Sequence, residues 1–258
     1  MLDTLDVATS TGAPTVGAAL RILSFMAAQQ GPVAAATLAR ALDLPRSSVY
    51  RLLGELAEQG FVLHFPEARR YGLGIAAFEL SSGYVRQEPV TRLGRPVLAA
   101  LVDRVGESAH LAVLVGREVV YLVEERAPRR PALVTDVGVR LPSHLTASGR
   151  ALLAELPREQ VRALFPDSAA LDGRGTTTLR ELRAELVRTR QRGFAVEDGE
   201  ITAGFASVAV AVTDRAGWPV ASLAVTFESG AVDGARREEL VAAVRRYASE
   251  LRRRLVGG

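Results

Sequence analysis

The chain has 258 residues, 32 basic and 29 acidic side chains, no cysteine and a hydrophobic fraction of 48%. The length accommodates two domains with their own cores, and the absence of cysteine excludes a disulfide scaffold, a thiolate metal site and a cysteine nucleophile. A pI of about 9.8 points toward nucleic acid, yet the seven arginines of residues 1–87 are balanced by seven acids, so the surplus of three lies beyond residue 87.

The first residues, MLDTLDVATSTGAPTV, carry two aspartates and no basic cluster before an apolar run, which is not the pattern of a secretory leader. No apolar stretch approaches the roughly 18 residues of a membrane span; a cytoplasmic location without membrane contact is expected, after a flexible terminus over 1–14. Val16, Leu20, Leu23 and Ala27 then recur at helical spacing and mark a helix over 16–29, ended near Gly31-Pro32. A second helix, 35–42, places Ala35, Leu38 and Leu42 on one face before Asp43-Leu44-Pro45 breaks it. The third, 45–59, sets Val49, Leu52, Leu53 and Leu56 at i, i+3, i+4 and i+7, with Pro45 in its first turn and Gly60 as its stop. Two strand-like runs, 61–65 and 70–73, flank a hairpin turn at Pro66-Glu67-Ala68-Arg69. Residues 74–87 read as an apolar linker helix in which Ile75 and Phe78 need a partner surface.

Beyond Glu88, a helix over 91–105 leads to strands 108–115 and 118–124, whose separation by Gly116-Arg117 fits a two-residue hairpin. Helices follow at 146–155, 158–165 and 179–192, then strands at 194–198, 206–213 and 219–226, then a last helix over about 234–254. Hairpins mixed with helices predict an α+β domain around an antiparallel sheet rather than a βαβ repeat.

The helix, short break, helix and hairpin over 35–73 form the layout of a winged helix-turn-helix. In that layout the N-terminal residues of the second helix enter a major groove. An arginine can donate twice to guanine, while hydroxyls and backbone N–H groups hold phosphates. Arg46, Ser47, Ser48, Tyr50 and Arg51 supply this chemistry, and Arg69 and Arg70 on the hairpin can grip the backbone or minor groove. The alternative reading is an ordinary three-helix core with solvated arginines. Because lysine is absent and every basic residue is arginine, arginine is a weaker functional signal here than usual.

The runs GAALRILSFMA, LARALDLPRSSVYRLLGELAEQGFV and RRYGLG resemble the DNA-binding domain of the IclR family of bacterial transcription regulators. HLAVLVGREVVYLVE, LPSHLTASGRALLA and GFAVEDGEITAGFASVAVAV resemble that family's effector domain, so the resemblance covers about 15–255. It implies a winged helix-turn-helix over 15–73, a linker helix over 74–87 and a GAF-like effector domain over 88–258. It also implies a homodimer or a dimer of dimers on a pseudo-palindromic double-stranded DNA operator, and a small-molecule effector. Carried over residue by residue, the effector positions are Leu133, Ala147, Ser148, Glu197, Phe205, Ser207, Ala224 and Thr226. N–H groups at the helix start near Ala147 and Ser148 would seat a carboxylate. Ser207 and Thr226 would add hydroxyls, and Leu133 and Phe205 an apolar wall. An ionised Glu197 would repel a second acid group and accept from a ligand hydroxyl. The expected effector is therefore a small organic acid, hydroxylated or carrying a ring.

The chain departs from the family pattern at Ala34, where a hydroxyl usually caps the second helix, and at Leu145, where a small residue is commoner. It also departs at Ser207, a frequent cysteine, and at Phe227-Glu228, usually Gly-Pro. Gly72-Leu73-Gly74-Ile75-Ala76-Ala77 fits a relaxed dinucleotide fingerprint, but the charged segment before it is no buried parallel strand. His64, His110 and His144 have no metal-ligand spacing, and no GxSxG elbow accompanies Ser143-His144. No catalytic residue, metal or cofactor is assigned. Arg252-Arg253-Arg254 reads as a solvated helix end. The rival reading is a small-molecule enzyme with its active site in the C-terminal pocket, which would require a histidine, an acid and a nucleophile together there.

Overall fold

The computed structural model of the chain describes residues 14–80, 89–128, 130, 135–171 and 178–257. The chain divides into two units at Gln87/Glu88. In the first, Ala18, Ile22 and Met26 of α1 (Pro14–Ala27) are buried at four-residue spacing. They pack with Leu38 of α2 (Ala35–Leu42) and with Val49, Leu52 and Leu53 of α3 (Arg46–Glu58) in one cluster. Asp43 ends α2 in the left-handed region (φ 50), its N–H donating to the Ala39 carbonyl, and this sharp stop turns the chain toward α3. Pro45 is the extended residue before α3 rather than part of its first turn, a shift of one residue from the sequence reading. Ala34 gives no side-chain cap, as its type dictates; its carbonyl accepts from Thr37 and Leu38.

The hairpin pairs β1 (Val62–Phe65) with β2 (Arg70–Leu73), from Val62 opposite Leu73 to Phe65 opposite Arg70. Val33 adds a third rung by exchanging both backbone hydrogen bonds with Tyr71 at 2.8 Å, a link invisible in the sequence pattern. Gly74 closes the unit: a Cβ there would stand 2.2 Å from the Gly60 carbonyl oxygen. The relaxed dinucleotide fingerprint is thus the end of an antiparallel hairpin. Residues 75–80 are helical (α4).

The second unit is built on a six-stranded antiparallel sheet in the order β5-β4-β3-β8-β7-β6. Its strands are β3 (Ser108–Val115), β4 (Glu118–Glu125), β5 (Arg140–Pro142), β6 (Ala195–Asp198), β7 (Phe205–Thr213) and β8 (Pro219–Glu228). The three-residue edge strand β5 carries too few residues for a periodic signal and was not anticipated. Side chains alternate between the faces of the sheet, except where a bulge at Leu122 of β4 shifts the register by one residue. Leu111, Val123, Val208, Leu223, Val225 and Phe227 point to one face, against α5 (Pro89–Val105) and α9 (Gly234–Gly257). The other face is different in kind. Ala112, Ala195, Ala209 and Ala224 lie under α6 (Ala147–Glu155), which meets them with Ala147, Ala151 and Leu152. Behind α6, α7 (Arg158–Leu164) and α8 (Leu179–Arg192) enclose a separate apolar cluster around Phe165, Leu182 and Leu186.

The helix α6 sits low because of one residue. A Cβ at Gly149 would stand 2.2 Å from the carbonyl oxygen of Ser143 and 2.3 Å from its Cα, backbone atoms that cannot swing aside. Gly149→Ala is therefore expected to cost about 1–3 kcal/mol, the usual range for overpacking. The check is a lowered urea midpoint at unchanged m-value.

Candidate functional site

On α3 the buried stripe Val49, Leu52 and Leu53 fixes which side faces outward. Arg46, Ser47, Tyr50 and Arg51 are exposed, while Ser48 is half-buried beside the stripe. No side chain caps α3, so its first N–H groups are open to an acceptor. The guanidiniums of Arg46, Arg51 and Arg69 make no ion pair or hydrogen bond with any described residue. Arg69 ends the hairpin turn at φ 50, where a non-glycine side chain costs about 1 kcal/mol or more. Arg70 donates to the Pro32 carbonyl at 3.1 Å and so braces the hairpin against the loop before α2.

In the second unit, cross-strand register assembles a site. Glu197 is opposite Ser207, which is opposite Thr226, so three strands contribute one polar row. The next row is His110, Ala224, Ala209 and Ala195, small residues that let α6 approach. Where the N-terminus of α6 meets the polar row, a cavity of ≈ 20 Å³ is left, room for about one water. Thr146 caps α6 by accepting from Gly149 at 2.9 Å. The N–H groups of Ala147 and Ser148 belong to the unsatisfied first turn, and both residues line the cavity.

Arg150, 7% exposed, holds the site together. It donates to the His144 carbonyl, the Val196 carbonyl and Glu200 at 2.8, 2.9 and 2.8 Å. These bonds tie α6 to edge strand β6 and to the loop whose Ile201 and Thr202 reach the cavity. Ile201 in turn donates its N–H to Glu197 at 3.0 Å. Burial pushes the Glu197 carboxyl above its ordinary value, opposed by that hydrogen bond and reinforced by the nearby Glu200. Tyr121 is pushed upward by burial, with the Ser148 side chain nearby acting in the opposite direction. His110 is buried, bonded to Thr135 Oγ1 at 2.7 Å and edge-on to Tyr121. Burial depresses it to about 4, assisted by the charge of Arg126.

Seven of the eight effector positions expected from the sequence line this one cavity: Ala147, Ser148, Glu197, Phe205, Ser207, Ala224 and Thr226. Leu133 lies outside the described residues, as do residues 1–13 of the expected flexible terminus and residues 81–87 of the expected linker. The sequence reading missed His110, Tyr121, Thr135, Thr146, Ile201 and Thr202. Strand alternation offered a signal for His110, two residues before Ala112; Tyr121 shares that face because a bulge at Leu122 sets it apart from Val123. The rival reading asked for a histidine in this pocket, and His110 is there. It is joined to Thr135 and not to Ser148, Ser207 or Glu197, so no relay links it to an acid and a nucleophile. Among the described residues no group of three or more His, Asp or Glu side chains forms a metal site, and no helix is long and apolar enough to cross a membrane.

A buried neutral histidine leaves a mark on stability. Between its ordinary value of 6.5 and about 4, the unfolded chain binds a proton at His110 that the folded chain does not. Stability from this group is complete above 6.5 and is lost as pH falls through that window. Glu197, shifted upward, works in the opposite sense above its ordinary 4.5. His110→Gln should accordingly flatten the acid side of the urea-midpoint profile between 6.5 and 4. Identical slopes in variant and parent would show that His110 is charged in the fold.

Comparison with known proteins agrees with this geometry. Residues 15–64 match the IclR helix-turn-helix domain, and residues 82–253 match the bacterial transcriptional regulator IclR C-terminal domain. A relative from Cupriavidus necator, named "Probable transcriptional regulator SauR", is 35% identical over 211 residues, covering 80% of this chain and 83% of its own length. The acetate operon repressor of Salmonella typhimurium is 28% identical over 236 residues, covering 90% and 86%. The crystal structure of the Thermotoga maritima IclR superposes with a TM-score of 0.73 at 27% identity, covering 94% of this chain and 98% of that one. The chain belongs to the IclR family of bacterial transcription regulators, with an N-terminal helix-turn-helix for DNA and a C-terminal effector domain.

Proposed function

We propose that Arg46, Ser47, Ser48, Tyr50 and Arg51 read the major groove of a double-stranded operator, while Arg69 and Arg70 hold its backbone. The free guanidiniums on the outer face of α3 support this reading, as does an arginine kept at a left-handed turn position where glycine would be less strained. The active species is a cytoplasmic homodimer, or a dimer of dimers, on an imperfect palindrome. Ile75 and Phe78, each 68% exposed on α4, supply apolar surface for pairing. Arg51→Ala should cost about 1–3 kcal/mol of operator affinity and relax sequence preference, whereas Arg69→Ala with Arg70→Ala should weaken all sequences alike and flatten the salt slope. Fluorescence anisotropy on operator and scrambled duplexes checks both. An Arg51→Ala protein with unchanged affinity and selectivity would refute the helix assignment.

We infer further that the sheet cavity is the effector site and that its output is binding, not catalysis. The observation that carries this is the convergence of free Ala147 and Ser148 N–H groups with Glu197, Ser207 and Thr226 at one buried point. The ligand class is a small organic acid with its carboxylate on those N–H groups. The cavity is small, ≈ 20 Å³, and we infer that binding displaces part of its lining, the Ile201–Thr202 loop. That displacement is the differential contact a switch requires, and its effect on DNA affinity must be reciprocal. Glu197, already favoured neutral by burial, gains a second reason to hold its proton when a carboxylate arrives. Lactate binding should therefore take up a proton, read by calorimetry as a heat that varies with the buffer's ionisation enthalpy. In Glu197→Gln that variation should vanish, and succinate should gain on lactate. If buffer dependence and ligand ranking are both unchanged, Glu197 does not face the ligand.

A further inference from the structure

The second unit carries a groove of ≈ 260 Å³ between α7 and α8, on the far side of α6 from the sheet cavity's polar row. Arg158 and Arg162 of α7 and Arg183 and Arg190 of α8 line it, over a floor of Val161, Leu186 and the exposed Val187. No carboxylate among the described residues lines it. The spacing on each helix makes this a built stripe: 158, 161 and 162 are i, i+3 and i+4, and 183, 186, 187 and 190 are i, i+3, i+4 and i+7.

Of the acids near the stripe, Glu155 and Glu159 are exposed and form no ion pair with a described residue, and the two on α8 are committed elsewhere. Glu181 closes the capping box of α8 with Thr178, and Glu185 pairs with Arg188 and Arg192. Arg190 is immobilised by bonds to the Ala154 and Leu156 carbonyls at 2.7 and 3.2 Å, neutral partners that leave its charge uncompensated. None of the four arginines forms an ion pair with a described residue. Like charges at i, i+4 and across a shared groove destabilise the fold, so the empty groove stores a repulsion that an anion relieves.

We propose that this groove is a second ligand site, separate from the sheet cavity, for a small organic dianion with an apolar body. Guanidinium forks match phosphate and carboxylate oxygens bidentately, and the valine and leucine floor accepts a ring or short alkyl part. A phosphate monoester and an aromatic dicarboxylate share the required chemistry.

The test is calorimetry of the full chain with phenyl phosphate, phthalate and inorganic phosphate as probes, on the parent protein, on the double variant Arg162→Gln/Arg183→Gln and on Glu197→Gln. Phenyl phosphate or phthalate should bind the parent about tenfold or more tighter than inorganic phosphate, and the winner of the two identifies the head group. The double variant should lose that binding by about tenfold or more, whereas Glu197→Gln should not weaken it. Without ligand the double variant should melt higher than the parent, because the repulsion is gone. Binding unchanged in the double variant, or weakened only by Glu197→Gln, would overturn the proposal, as would a double variant that melts lower. Loss of operator affinity in the double variant without any probe binding to the parent would make the groove a DNA contact and equally overturn it.

Discussion

The effector unit depends on how closely α6 can lie on its sheet. Alanines at 112, 195, 209 and 224 leave a shallow surface, and Gly149 lets the helix start touch the Ser143 backbone. Larger side chains at these positions would lift α6 and open the cavity to water. With the helix down, its first-turn N–H groups sit beside the Glu197, Ser207 and Thr226 row in a low-dielectric setting where each polar contact is strengthened. The same burial makes Glu197 and His110 resist ionisation, the first held toward its acid form and the second toward its neutral base. Hydroxyls and a carboxyl held toward its acid form, around an open helix terminus, suit a binding site for one anion.

Arg150 shows how a charge can be buried at tolerable cost. Its guanidinium is almost wholly enclosed, yet two carbonyls and the Glu200 carboxylate take its donors. Removing one partner from such a group is more damaging than its absence would be, because the remaining charge is left without compensation. The three bonds converge on segments that surround the cavity and tie the Glu200 loop, edge strand β6 and α6 together. This is where a ligand can act with leverage, since Ile201 and Glu197 belong to the same loop contact.

Charge in this chain is organised by allocation rather than by composition. Arginine is the sole cation, and many copies serve the scaffold: Arg130 pairs with the buried Glu107, Arg192 with Glu185, and Arg236 reaches the Val105 carbonyl. Others, on α3 and along α7 and α8, have no acidic partner. Counting arginines could not separate these groups, and the net neutrality of residues 1–87 concealed a basic face on α3. What distinguishes them is whether a carboxylate or carbonyl comes within reach, a property of packing.

The sequence alone determined the order of the helices and of every strand but β5, the hairpins β1–β2 and β3–β4, the helix-turn-helix layout and the family to which the chain is similar. Those features rest on local periodicity, turn chemistry and motif spacing, which act over a few residues. It also determined seven of the cavity's lining positions, through the resemblance. Tertiary structure decided the rest. His110 and Tyr121 reach the cavity only because β3 and β4 pair in register beside β8, and Thr135 joins them through a contact across 25 residues of sequence. The Val33 rung on the hairpin, the three-residue β5 and the Arg150 network likewise depend on segments brought together from afar. Periodicity shows which face of an element is apolar; only the assembled sheet and helices show what stands opposite each polar side chain, and that partner sets its charge, its pKa and its use.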